Sequence, residues 1–376
     1  MHKNNLNKGF EIELFTGTYR SHVGVSSQIE QIFSNFVNEP DNRNVEYIKD
    51  PSKDYKILYY SLLEPRKDLR KWLEAINLTI IPSSTLCFPH QNKFQRSDEL
   101  NDYHQFIESN YGLSIATSSV HINLGIEEID KLFAAIRLVR CEASLFLALS
   151  ASSPFLNGKF TGYHSQRWHQ FPKTPFEVPF FLDHNHYINW IEHNISNGTM
   201  QNVRHFWSSV RPNGPQRPYG LDRLELRICD FISNIDLLLA ITAFLELRVI
   251  SLFDDLENLD PLSSSKFSTD ELKAICDQNE LMVSKESLNA ELIHWKNGEK
   301  IICKDWIQNL LMELSSSSRT LEMSHFLKPI HKVLEEGNEA IKWINKYNQG
   351  ISVEDIMRSA IDNMIKNEQE NNLWFK

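Results

Sequence analysis

Glu11 and Glu13 stand one strand repeat apart in Gly9-Phe10-Glu11-Ile12-Glu13-Leu14. Phe10, Ile12 and Leu14 take the opposite side, because side chains alternate along an extended chain. Two anions fixed on one face repel, and a lysine, an arginine or a metal ion would relieve them. The strand itself supplies none. On this strand alone a solvated polar face is the better reading. The same chemistry then recurs. Glu46 lies on the polar side of Asn44–Ile48, and Glu39 sits at the mouth of the Pro/Asp/Asn-rich turn before it. His121 and Asn123 share the polar side of Ser119–Gly125, opposite Val120, Ile122 and Leu124. In Arg223–Asp230, Glu225 and Arg227 oppose Leu224, Leu226 and Ile228.

Four separated segments that alternate this well are predicted to share one antiparallel sheet. Carboxylates gathered on one face, with few cations among them, suit an oxygen-rich site for Mg2+ or Mn2+, whose open positions take nucleotide phosphates. Arg227, one repeat from Glu225, is placed to neutralise charge on a phosphoryl group in transfer. No Walker P-loop or Rossmann glycine fingerprint is present. The residues alone therefore point to a metal- and nucleotide-dependent enzyme built on a sheet.

Several loops add candidate groups. Ser83 and Thr85 follow the predicted strand from Thr79, where hydroxyls and backbone N–H groups could hold a carboxylate. Arg204, Arg211 and Arg217, with Trp207 and Gly214, suit phosphate or carboxylate recognition, against the alternative of a solvated loop. The stretch Ser150–Trp168, which includes Arg167, reads as an ordered active-site loop. His184-x-His186 invites a metal reading that lacks a third ligand.

Around these lie the predicted helices: Ser26–Val37, Tyr55–Leu78, a long core helix over Glu127–Ser150, and Asp236–Asp254. A linker of Asn, Asp, Pro and Ser follows. Segments from Asp270, Glu299, Ser324 and Ser352 then read as helical, with Ser268 and Glu271 spaced for a capping box. The expected division is a catalytic unit over residues 1–262 and a helical region over 263–376 packed on it, which would support the site or an oligomer contact such as a homodimer.

Composition narrows the partners. The chain has 376 residues and a net charge of -10, which disfavours nucleic acid and anionic membrane as main partners. No apolar leader precedes the first strand and no segment approaches a membrane span, so a cytoplasmic location is expected. Five cysteines are scattered without metal-ligand spacing and are expected to be reduced, buried thiols.

Taken together, these segments, with Ser150–Gly162 and Trp207-Ser208-Ser209-Val210-Arg211-Pro212, closely resemble the glutamate-cysteine ligase family, in particular the cyanobacterial-type branch of the type 2 carboxylate-amine ligases. The resemblance runs from about residue 8 to about residue 262. It implies an α+β, glutamine synthetase-like fold whose curved antiparallel sheet carries helices on its outer face and binds ATP and Mg2+ on its inner one. It implies that ATP phosphorylates the side-chain carboxylate of L-glutamate and that the amine of L-cysteine displaces phosphate, giving gamma-glutamylcysteine, the first step of glutathione synthesis (EC 6.3.2.2). Glu11, Glu13, Glu39, Glu46, His121 and Glu225 correspond to a metal-binding set and Arg227 to a phosphate-stabilising arginine. Arg211 and Arg167 correspond to groups for phosphate or substrate carboxylate. Another acid or amine within the same family, and a non-catalytic binding protein on the same fold, stay open as alternatives.

Overall fold

The computed structural model describes residues 6–90, 93–98, 101–112, 116–171, 173–315 and 323–370. Its centre is a seven-stranded sheet of β1 (Lys8–Gly17), β2 (Phe36–Asn38), β3 (Asn44–Ser52), β4 (Thr79–Ile81), β5 (Val120–Gly125), β8 (Val210–Asn213) and β9 (Arg223–Leu226). The order is β2-β3-β1-β5-β9-β8, with β4 also on β1, and every pairing is antiparallel. The four alternating segments of the sequence thus lie side by side. A small hairpin, β6 (Phe155–Leu156) and β7 (Lys159–Phe160), stands apart.

Helices fill the intervals: α1 (Ser26–Ile32), α2 (Tyr55–Ala75), α3 (Asp102–Tyr111), α4 (Ile129–Ser150), α5 (Gln166–Gln170), α6 (His184–Ser196) and α7 (Ile235–Asp254). Every residue of α4 from Leu132 to Ser150 is buried. A helix buried on all sides is a central one, and its Arg137, Arg140 and Glu142 are each held in an ion pair. Its burial joins the sheet's apolar face, with Phe10, Ile12, Leu14, Val120, Ile122, Leu224 and Leu226, to α7 in one core. The chain is therefore α+β, with helices covering the apolar face of an antiparallel sheet.

Short helices α8 (Leu256–Leu259) and α9 (Pro261–Ser264) lead to α10 (Thr269–Glu286), which begins with the expected Ser268–Glu271 capping box and packs on α4. A hairpin of β10 (Glu291–Ile293) and β11 (Lys300–Ile302), then α11 (Cys303–Ser315), follow. Three further helices span Lys328–Glu336, Glu339–Asn348 and Val353–Gln369. The last is tied to α2: Glu368 accepts from Arg66 Nε at 3.3 Å and Arg70 Nη2 at 3.0 Å, all three residues buried. All five cysteines are free and buried. Among the described residues no helix is long and apolar enough to cross a membrane.

Several boundaries differ from the sequence reading. The helix expected over Ser26–Val37 stops at Ile32, and Phe36–Asn38 becomes edge strand β2, too short to display an alternation. The strand from Thr79 ends at Ile81 because Pro82 has no N–H to extend a ladder. The arginine-rich stretch before Pro218 contains a strand, β8, hidden by Pro212. The segment from Glu299 becomes helical only at Cys303.

Candidate functional site

Register assembles the site. Glu11 lies directly opposite His121 on β5, and Glu13 opposite Glu46 on β3. Like charges facing each other across strands destabilise a sheet. Glu39, from the turn after β2, joins the same pair. Ligand atoms of Glu13, Glu39 and Glu46 lie within 4.8 Å of one another, as do those of Glu11, Glu46 and His121, so Glu46 belongs to both groups. Among the described residues, neither the Glu39 nor the Glu46 side chain has a hydrogen-bond or ion-pair partner.

The electrostatics suit a site for a cation. Burial, then Glu13, pushes the Glu39 carboxyl well above the usual range. Burial, then Glu39, does the same to Glu46. Glu13 is anchored by Ser119 N–H, which donates to its Oε2 at 2.7 Å, while Oε1 stands 3.7 Å from His121 Nε2. An array of carboxylates that cannot all ionise next to one another, with a histidine alongside, has the donor set of a divalent-cation site with room for two neighbouring ions.

Glu11 differs. Burial and Glu225 push its carboxyl up, but His121 Nδ1 at 2.9 Å from Oε2, and the charge of Arg227, outweigh them and hold it below the usual range. Asn123 Nδ2 donates to its other oxygen at 3.3 Å.

The opposite side of the site is cationic. Glu225 is fully buried, and burial alone would raise its carboxyl, yet Arg211 and Arg227 hold it well below the usual range. Arg211 donates from Nε at 2.7 Å and from Nη2 at 3.1 Å, Asn213 Nδ2 at 2.7 Å, and Arg227 Nη1 closes on Oε1. Both oxygens of Glu225 are thus taken by cations and an amide, and it stands outside the two ligand groups. Arg227 keeps a buried Nε with no partner, while Glu225 and Glu11 raise its already high pKa against the effect of burial. It sits between the acidic wall and the arginines.

The four ligand-group glutamates, His121, Arg211 and Arg227 line a cleft of about 760 Å³, with Arg204, Arg217, Phe171 and Trp207 along its arginine side, while Glu225 lies buried beneath it. Other candidates lie elsewhere. Arg167 is buried behind β9, donating from Nε to Asp230 at 2.8 Å and from Nη2 to the Arg227 carbonyl at 3.4 Å, so it braces the strand that carries Arg227. Ser83 Oγ donates to the Thr85 carbonyl at 3.0 Å and Thr85 Oγ1 to the Phe155 carbonyl at 2.6 Å. Both hydroxyls hold loops together away from the cleft. The Ser150–Trp168 stretch also sits behind β9: Ser152 N–H and the hydroxyls of Ser153 and Ser165 donate to Asp230 at 2.9, 2.7 and 2.8 Å. None of its residues lines the cleft. His184 and His186 open α6, engaged by the Pro218 carbonyl and the Leu182 N–H. Asn213 belongs to the arginine-rich stretch of the sequence, but nothing there marks it as an amide partner of Glu225 beyond its place two residues after Arg211.

Comparison with known proteins gives a consistent picture. The family model described as "Glutamate-cysteine ligase family 2 (GCS2)" matches residues 8–366. A protein of Legionella pneumophila (strain Lens), named "Putative glutamate--cysteine ligase 2-1", is 22% identical over 334 residues, covering 87% of this chain and 85% of its own. A Gloeobacter violaceus protein, named "Putative glutamate--cysteine ligase 2", is 26% identical over 239 residues, 62% of this chain and 60% of its own. Among solved structures, the glutamate-cysteine ligase of Francisella tularensis, in complex with AMP, superposes with a TM-score of 0.73 at 13% identity, covering 99% of this chain and 91% of that one. A bifunctional glutathione synthetase from Pasteurella multocida gives 0.72 at 14% identity, covering 97% and 53%. The fold is the glutamine synthetase-like one.

Proposed function

The chain belongs to glutamate-cysteine ligase family 2, and from that premise we propose that it is an ATP-dependent carboxylate-amine ligase that joins L-glutamate to L-cysteine. The observation that carries this reading is the pair of ligand groups sharing Glu46, set across one cleft from Arg227 and Arg211. Glu13, Glu39 and Glu46 would hold one Mg2+, and Glu11, His121 and Glu46 a second. Bound there, Mg2+ supplies positive charge to the nucleotide phosphates and relieves the crowding of carboxylates.

The chain's own part is placement and charge. Phosphoryl transfer forms a bond between a side-chain oxygen of glutamate and the γ-phosphorus, and breaks the bond to ADP. Arg227 faces the acidic wall with a buried, unpartnered Nε, the donor such a migrating charge wants. Glu225 and Arg211 fix that guanidinium in place. The cysteine nitrogen then attacks the acyl carbon, the carbon–oxygen bond to phosphate breaks, and the amine loses its proton. No enzyme nucleophile enters either step.

The test is ADP release by purified protein with Mg2+ and L-glutamate, with and without L-cysteine, together with detection of the thiol dipeptide. Release that is equal in both conditions, with no dipeptide, would refute the reading. Replacing cysteine by other amino acids or amines in the same assay reveals whether a different acceptor is the true one.

A further inference from the structure

The turn between β8 and β9 is built as a rigid arm. Gly220 N–H donates to the Gln216 carbonyl at 2.8 Å, Tyr219 N–H to the same carbonyl at 2.9 Å, and Asp222 N–H to the Asn213 carbonyl at 3.0 Å. A side chain at Gly214 would strike the backbone of Gly220 and Leu221, so the two limbs touch backbone to backbone. The arm is pinned to α6 at two points: His184 Nε2 donates to the Pro218 carbonyl at 2.9 Å, and Tyr219 Oη to Glu192 Oε1 at 2.6 Å.

Arg217 stands on this arm and lines the cleft. Its Nη1 is buried without a partner, and among the described residues no hydrogen bond or ion pair engages its side chain. Glu225 is the carboxylate that faces it, and both oxygens of Glu225 are already committed to Arg211, Asn213 and Arg227. Three guanidinium groups therefore gather around one carboxylate. Burial and Arg211 push the Arg217 guanidinium down to about 10, which leaves it protonated at neutral pH and in want of an anion. A fixed, half-buried guanidinium with a free fork suits a planar carboxylate.

We propose that Arg217 binds the α-carboxylate of the acid substrate and so makes the site select an amino acid that carries a second, non-reacting carboxylate. The assignment rests on the ligase reading above and deepens it. Sheet order favours a carboxylate over a phosphate here. The ligand groups come from β1, β3, β5 and the turn after β2, whereas Arg217 stands on the arm that joins β8 to β9, beside the Arg211–Glu225 pair at the other edge of the sheet. Phosphates belong with the metal-binding carboxylates. The acceptor carboxylate reacts near Arg227, and the group that remains for the arginine end is the far end of the acid.

The experiment compares wild type with Arg217→Gln and Arg217→Lys, using L-glutamate and 4-aminobutyrate, which keeps the reacting carboxylate and lacks the α-carboxylate. Arg217→Gln is expected to raise the KM for L-glutamate by about 10- to 100-fold, the usual effect of losing one charge-assisted hydrogen bond. It should abolish the preference over 4-aminobutyrate and leave the KM for ATP unchanged. Arg217→Lys should recover part of the loss. Because no partner among the described residues engages the Arg217 side chain, both variants should melt within about 2 °C of wild type. An unchanged KM for L-glutamate, or a raised KM for ATP in its place, would overturn the assignment. Should wild type release no ADP with any acid, the ligase reading fails by itself. The arginine is then tested by the melting shift that L-glutamate induces: a shift in wild type that Arg217→Gln abolishes supports the site, and an equal shift in both, or none in wild type, overturns it.

Discussion

Glu46→Gln is expected to reverse its sign on stability when Mg2+ is added. Glu46 faces Glu13 across β1 and β3, lies beside Glu39, and has no cationic partner among the described residues. Without metal, the amide removes one member of a crowded anionic cluster, so the variant should be more stable than wild type by about 0.5–1 kcal/mol, the scale of an unfavourable cross-strand charge pair. In a chain of this size that is a rise of roughly 1–2 °C. With Mg2+ the order inverts, because Glu46 belongs to both ligand groups. At a metal concentration about 100 times the wild-type dissociation constant, binding stabilises wild type by about 2.7 kcal/mol. A variant that binds about 100-fold more weakly retains on the order of 0.4 kcal/mol. Thermal melts in EDTA and in a Mg2+ titration read both halves of the crossover. A variant less stable than wild type in EDTA would refute the electrostatic argument, and an undiminished Mg2+ increment would refute the metal assignment.

Further outcomes follow from the same geometry. Glu39 and Glu46 have folded-state pKa values above their unfolded ones. Their contribution to metal-free stability is therefore present below about pH 4.3 and is lost as pH rises through the raised values. Mg2+ binding needs them ionised, so the Mg2+-induced melting shift should grow between acidic and mildly alkaline pH; a shift flat across that range would contradict it. Arg227→Gln should lower kcat by about 100- to 1000-fold while Mg2+ still raises the melting temperature, because it removes a charge that acts in phosphoryl transfer and binds no metal. Asp230→Ala strands the buried Arg167 and three hydrogen-bond donors. A stability loss of about 3–5 kcal/mol is expected, read by denaturant unfolding, and a loss below about 1 kcal/mol would show that the cluster is not under load.

The sequence displayed β1 and β5 clearly because each sets a run of apolar residues against charged or polar ones, and only a sheet with one buried face demands that pattern. β2 and β8 were hidden for opposite reasons. Phe36–Asn38 is too short to alternate, and Pro212 interrupts the strand signal of Val210–Asn213 although its neighbours still pair with β9. The carboxylates were legible as a group, since all but Glu39, which opens a turn, are polar members of a strand. The partners of Glu225 were not. They depend on Arg211 coming opposite it in register, which the arm from Gly214 to Gly220 fixes and local sequence does not announce. Arg167 shows the same limit. An arginine in a loop of hydroxyls and aromatics suggests an exposed ligand, yet the acceptor that claims it, Asp230, lies 63 residues away.

The tie between Glu368 and the arginines of α2 has a consequence for synthesis. Arg66 and Arg70 find their acceptor about 300 residues downstream. At the usual pace of translation, roughly 5–20 residues per second, they emerge some 15–60 s before Glu368 is made. Throughout that interval α2 carries two cations whose shared acceptor is not yet made. Until that carboxylate arrives, burying both guanidinium groups lacks the pairing that Glu368 supplies in the finished fold.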